Sequence, residues 1–171
     1  MCKFCSLNPV YTLTNKRQLC STCFQRYVDK KVFKTIRKMH LNTREINSKN
    51  KLLSRILQKN FTLSKKARIK ATGETADDIS VEIIESQMRY SPNMKKLFPR
   101  NQNHIRPFYF VLNKELAIYS MLVGIKFKPR EYFGKKKKIK EFLDHLEEKH
   151  PEIKNNIVHA FIKSNITEYN F

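Results

Sequence analysis

The sequence predicts an α+β protein: a small cysteine-built ribbon followed by a mostly helical chain with a few short strands. Three observations predict it. The only cysteines are Cys2, Cys5, Cys20 and Cys23, two Cys-x-x-Cys pairs confined to the first 23 residues. Several later stretches repeat apolar residues at helical spacing with Lys and Arg opposite them. Two short stretches, 67–72 and 104–112, read as strands. At 171 residues the chain has the size of one domain with a small appendage. It divides into a ribbon with a basic helix over 1–41, a basic linker and helix over 42–66, and an α/β and helical part over 67–171.

The opening stretch, MCKFCSLNPVYTLTNKRQLCSTCF, is the metal module, with fourteen residues between its pairs. Each pair places two sulfurs on one ion through a tight turn, so the spacing suits a tetrahedral four-thiolate site. One structural zinc is the expected occupant, closing a fold too small for its own core. A rubredoxin-like iron site has the same ligand pattern and stays open. A redox-active dithiol lacks the βαβ context expected around it.

Behind the ribbon, QRYVDKKVFKTIRKMHL (25–41) predicts a helix with Val28, Val32 and Ile36 inward. NTREINSKN (42–50) is polar and reads as a linker. Residues 51–60 predict a second basic helix with Leu52, Leu53, Ile56 and Leu57 inward. ARIKAT (67–72) predicts a strand ended by Gly73. Thr75 or Asp77 then caps a helix to about Arg89, with Ile79, Ile83, Ile84 and Met88 inward. Pro92 and Pro99 bound a loop, and 104–112 predicts the second strand. Asn113 caps a helix that stops at Gly124. A mobile Lys-rich loop, 134–138, leads into a helix over 139–149, and Pro151 starts a last helix to about Ser164.

Thirty-five Lys and Arg against fifteen Asp and Glu leave a net charge of +20. Residues 1–66 alone carry sixteen basic and two acidic residues. A field this large self-repels unless a polyanion compensates it, so a nucleic acid is the natural partner, and charge alone allows tRNA, rRNA or DNA equally. The candidate contacts are Lys16 and Arg17 between the knuckles, a helical stripe of Arg26, Lys30, Lys31, Lys34, Arg37 and Lys38, and the cluster Lys135, Lys136, Lys137 and Lys138. Phe4, Tyr11, Tyr132 and Phe133 lie beside basic residues and are candidates for stacking on unpaired bases, whereas Phe108, Phe110 and Phe127 read as core. No run is long and apolar enough for a membrane span, and no leader is recognisable, so a reducing cytoplasmic setting is expected.

Three stretches in order resemble a known family. The ribbon running into CFQRYVDKKVFKTIRKMHL, the segment ARIKATGETADDISVEIIESQMR, and IRPFYFVLNKELAIYSMLVGIKF are similar to parts of the tRNA 2-thiouridine synthetases. HPEIKNNIVHAFIKS resembles their late helix. The resemblance implies an ATP-pyrophosphatase (PP-loop) fold, here truncated, and activity on tRNA. It also exposes departures. Nothing between Leu41 and Ala67 matches the family's S-G-G-x-D-S phosphate loop, so the ATP-binding half, strands included, reads as lost. The family's central cysteines and the one near its C-P-Y element have no counterpart, Glu74 replaces the histidine of its ATGH turn, and no second ribbon follows SNIT.

The expectation is therefore a non-catalytic zinc-ribbon RNA-binding protein, holding tRNA or working within an RNA–protein complex with a protein or ribonucleoprotein partner. A ribosome- or rRNA-associated protein is the alternative. A subunit of an active thiolation complex with the ATP site supplied in trans is another. Glu74, Asp77 and Asp78 are also candidates for a magnesium site, but acids complementing a helix N-terminus are the plainer reading. The five histidines show no metal-ligand spacing. Two short strands would form a thin sheet with exposed edges, calling for a partner to cover it.

Overall fold

The structure, a computed structural model, describes residues 1–90 and 94–165. The reading of Pro92 as a loop boundary lies outside the described residues.

The ribbon is a hairpin of β1 (Tyr11–Thr12) and β2 (Gln18–Leu19), antiparallel with Tyr11 opposite Leu19. It runs directly into α1 (Ser21–Lys38), whose Phe24, Val28, Val32 and Ile36 fall about one turn apart and are buried. A parallel layer follows: β3 (Glu45–Ser48), α2 (Lys51–Leu57), β4 (Thr62–Leu63) and β5 (Lys70–Ala71). Then come α3 (Ala76–Met88), β6 (Arg100–Asn101) and β7 (His104–Ile105). Three helices complete the order: α4 (Asn113–Val123), α5 (Gly134–Lys149) and α6 (Ile153–Ser164).

The main sheet has the order β4-β3-β5-β7-β6, with β6 antiparallel to β7 and the other neighbours parallel. Its two-residue alternation sends Ile46, Ile69, Ala71 and Ile105 into one core with α1, α2 and α4. The register sets Asn47, Lys70 and His104 side by side on the other face. Lys70 and His104 are exposed there and Asn47 is half-buried. A second core joins α3 and α6 through Ala76, Ile79, Ile83, Val158 and Phe161, with Tyr109 between them. A third packs Val81 and Tyr132 on Ile139 and Leu143 of α5.

The α+β expectation stands, with more sheet than two short stretches announced. Residues 42–50 are not a linker throughout: β3 forms inside them, anchored by Ile46 at 0% exposure. Residues 134–138 are not a loop but the first turn of α5. Lysine is a good helix former, and Lys136 is held by Glu82 at 2.7 Å while Ile139 and Leu143 bury the inner face. The stretch 104–112 is a strand only at His104–Ile105; beyond it a turn buries Phe108, Tyr109 and Val111. Met88, expected inward, is 68% exposed at the last turn of α3.

Candidate metal centre, crevice and basic face

The hairpin brings the four thiols together: the ligand atoms of Cys2, Cys5, Cys20 and Cys23 all lie within 4.8 Å of one another. Cys5 Sγ is 3.3 Å from Cys20 Sγ and 3.9 Å from Cys23 Sγ. Four sulfurs at about 2.3 Å from one ion would stand roughly 3.8 Å apart, so these four cysteines can hold a single metal. The thiols differ in acidity. Burial works against ionising Cys2, but backbone hydrogen bonds from Cys20, Phe4 and Cys5 outweigh it and lower its pKa to about 6. Burial and the neighbouring Cys20 thiol push Cys23 up to about 12. A thiolate already favoured at one corner is what a cation needs to enter such a site.

A second feature lies where the parallel strands end. Asn47, Lys49, Asn50, Lys70, Thr72, Gly73 and His104 line a cavity of 340 Å³. In open α/β sheets this edge, beyond the carboxyl ends of the strands, is the usual place for a ligand. The loop after β3 touches the loop after β5: Asn50 Oδ1 accepts from the Leu53 N–H at 3.0 Å, capping α2. On its other side a Cβ at position 73 would come within 2.3 Å of Asn50 Nδ2. Only glycine permits that approach. Glu74, next along, accepts from the Thr72 hydroxyl and pairs with Arg106 Nε at 3.1 Å.

The acids considered for magnesium are spoken for. Asp78 takes the Thr75 N–H at 2.9 Å in a capping box and accepts from the Tyr132 hydroxyl at 2.8 Å. Asp77 accepts from Lys154 Nζ at 2.7 Å and from the Asn113 N–H at 2.7 Å. Asp77, Asp144 and Glu147 converge closely enough for a cation, and the cation there is the Lys154 ammonium.

The candidate RNA contacts separate into two groups. Lys16, Arg17, Arg26, Lys30, Lys34, Arg37, Lys38, Lys135, Lys137 and Lys138 are exposed. Lys31 instead turns inward, with Nζ 2.8 Å from the buried Glu115 carboxylate, and Lys136 is tied to Glu82 and Glu85. Of the aromatic residues, Phe4 and Phe133 are exposed at 70% and 80%. Tyr132 is buried, and Tyr11 packs on Phe24 with ring centroids 4.6 Å apart. Phe108 is buried, and Phe110 and Phe127 pack against the cores, as expected of them.

Fold and site together define a cysteine ribbon leading an open, mostly parallel α+β layer. No family model matches the chain, and no curated protein matches it in sequence. Among solved structures it is similar to the U34-tRNA thiolase NcsA from Methanococcus maripaludis with its [4Fe-4S] cluster, at a TM-score of 0.76 and 12% identity. The match covers 95% of this chain and 86% of that one. At that identity the likeness shows a shared fold.

Two expectations are corrected by it. The strands read as lost between Leu41 and Ala67 are present: β3, α2 and β4 stand between residues 45 and 63. The reading of the chain as no enzyme is likewise overturned. Its fold is that of an enzyme over nearly its whole length, and it carries a cysteine cluster fit for a metal. The crevice residues Asn47, Lys49, Asn50, Lys70, Thr72 and His104 went unmarked in the sequence. The one available signal was Gly73, one of three glycines, set directly after a strand.

Proposed function

We propose that this protein is a tRNA-modifying enzyme that activates a base carbonyl oxygen with ATP, in the manner of a tRNA thiolase. The observation that carries the reading is the crevice at the carboxyl ends of β3 and β5, within a fold shared with a tRNA thiolase. Lys49 and Lys70 would balance phosphate charge there, and Asn47 and Thr72 would supply hydrogen bonds. The base oxygen attacks the α-phosphorus, and the bond to pyrophosphate breaks as the new O–P bond forms. A donor of the sulfide class then displaces AMP, leaving sulfur on the base carbon.

The tRNA would lie along the exposed basic stripe Arg26, Lys30, Lys34, Arg37 and Lys38, with Lys16 and Arg17 at the hairpin tip and Lys135, Lys137 and Lys138 at the start of α5. Zinc is the metal proposed for the ribbon. Sulfurs all within 4.8 Å suit four thiolates on one ion, whereas a cubane cluster, with each thiolate on a separate iron, would hold them farther apart. In this reading the metal folds the ribbon and orders the start of α1.

The test is release of AMP and pyrophosphate by the full chain given ATP, bulk tRNA and sulfide. Turnover that depends on tRNA and falls on Lys70→Ala supports the reading. Absence of both nucleotide turnover and tRNA binding at low salt overturns it.

A further inference from the structure

We propose that the cavity enclosed by the ribbon hairpin, α1, α4 and α6 receives an unstacked base of the bound RNA, its edge read by the Asn155 amide. The inference rests on RNA being the partner, as proposed above, but concerns a site separate from the crevice at the strand ends. The cavity measures 300 Å³ and its wall includes Tyr11, Tyr27, Phe110 and His159. Phe110 and His159 stack on each other at 4.6 Å and 21°, and such flat rings are what unpaired bases stack upon. The Thr14 hydroxyl donates to Glu152 Oε1 at 2.5 Å, tying the hairpin to the start of α6 at the cavity's edge.

Among the buried polar side-chain atoms of the described residues, one in this wall has no hydrogen-bond partner. Glu115 is taken up by Lys31 and by the Tyr27 hydroxyl at 3.1 Å. Asn155 is 8% exposed and its Nδ2 donates to Glu152 Oε2 at 3.4 Å, but its Oδ1 is buried with no hydrogen-bond partner among the described residues. A buried amide oxygen left unpaired is costly and rare. It calls for an N–H donor, which the imide of uracil or the exocyclic amine of cytosine or adenine supplies. A cavity of mixed aromatic and polar lining fits a base better than an aliphatic or purely ionic ligand. The surroundings fit as well: burial, then the charges of Lys38, Lys163 and Lys31, hold the His159 imidazole below its ordinary range. The ring is thus a neutral stacking partner set in a field that attracts the sugar–phosphate chain.

The experiment uses the full chain with bulk tRNA and with a single-stranded uridine-rich oligoribonucleotide, followed by fluorescence anisotropy across salt concentrations and by ultraviolet cross-linking with peptide mapping. Asn155→Leu and His159→Ala should each weaken binding about tenfold while leaving the salt slope unchanged, because neither touches a phosphate. Cross-links should map to Tyr11, Tyr27 or Phe110. His159 is exposed, so its variant keeps the fold and the test stays readable if Asn155→Leu unfolds. If the wild type binds tRNA, His159→Ala binds equally well and no cross-link falls in the cavity, the base pocket is overturned and the RNA reading stands. If the wild type binds no tRNA at low salt, the RNA reading falls and takes the pocket with it.

Discussion

Lys154 Nζ lies 2.7 Å from Asp77 Oδ1, and the two side chains are only 4% and 7% exposed. The same ammonium reaches Asp144 and Glu147, each at 2.6 Å, so one lysine of α6 holds the first turn of α3 and the last two turns of α5. A buried ammonium is tolerated only when its partners surround it, and removing it leaves carboxylates facing each other out of water. Lys154→Met should therefore cost about 3–5 kcal/mol of stability, read by chemical denaturation.

The same cluster gives a pH dependence. Burial alone would raise Asp144 and Glu147, but hydrogen bonds from Lys140 and Lys154 to the first, and from Lys114 and Lys154 to the second, hold both below their ordinary values. A carboxylate with a depressed folded pKa contributes stability above its unfolded value, and loses it as pH falls through the folded one. Lys154 is raised by Asp77 and its other partners against the effect of burial, so its share persists below the ordinary lysine pKa and is lost only in strong alkali. The cluster's contribution to stability should be flat from about pH 5 to 10 and fall below that range. The fall should be shallower in Lys154→Met, as thermal unfolding across pH would measure.

How much of this was legible follows from periodicity. The helices α1, α2 and α3 were readable because each repeats buried residues over two turns or more, as Val28, Val32 and Ile36 do. The cysteine site was readable because ligand spacing within a hairpin is local in sequence. The parallel sheet was not, because its strands are two to four residues long and each contributes at most one fully buried side chain. In Glu45–Ser48 only Ile46 is fully buried, which leaves no pattern to detect. The crevice was hidden for the same reason: Asn47, Lys70 and His104 meet only through strand register. Lys31 looked like its neighbours on α1 because Glu115, its partner, lies 84 residues away.

Gly73→Ala should test the contact that shapes the crevice. The added methyl cannot sit 2.3 Å from Asn50 Nδ2, so either the loops part or the Asn50 side chain leaves its cap on α2. The expected loss is about 1–3 kcal/mol. Adding Asn50→Ala, which alone costs about 1 kcal/mol as a lost cap, should make the double variant more stable than the sum of the two losses. A double-mutant cycle by urea denaturation measures the coupling; strict additivity would mean that the two loops do not touch.

Replacing Cys5 or Cys20 by serine should remove the metal and melt the ribbon. Elemental analysis of the wild type should give about one zinc per chain and of either variant essentially none. Proteolysis should then cut within residues 1–20, where only the hairpin's few backbone bonds remain to hold the chain. Iron in place of zinc in protein purified without added metal would overturn the assignment of the ion while leaving the four ligands as they are.

The basic face can be separated from the basic interior on a single helix. Lys30 and Lys34 of α1 point to solvent, whereas Lys31 between them closes on Glu115, which is 2% exposed and also accepts from the Leu112 N–H at 2.8 Å. Lys30→Ala and Lys34→Ala should each weaken tRNA binding and lower the salt slope by about one, the signature of a lost phosphate contact. Neither should shift the thermal midpoint by more than surface substitutions ordinarily do. Lys31→Met should do the reverse. It leaves a buried carboxylate without its cation, so the midpoint should drop by several degrees while the salt slope of the folded protein stays as in the wild type. Equal salt slopes in all three variants would place the RNA on another face of the molecule.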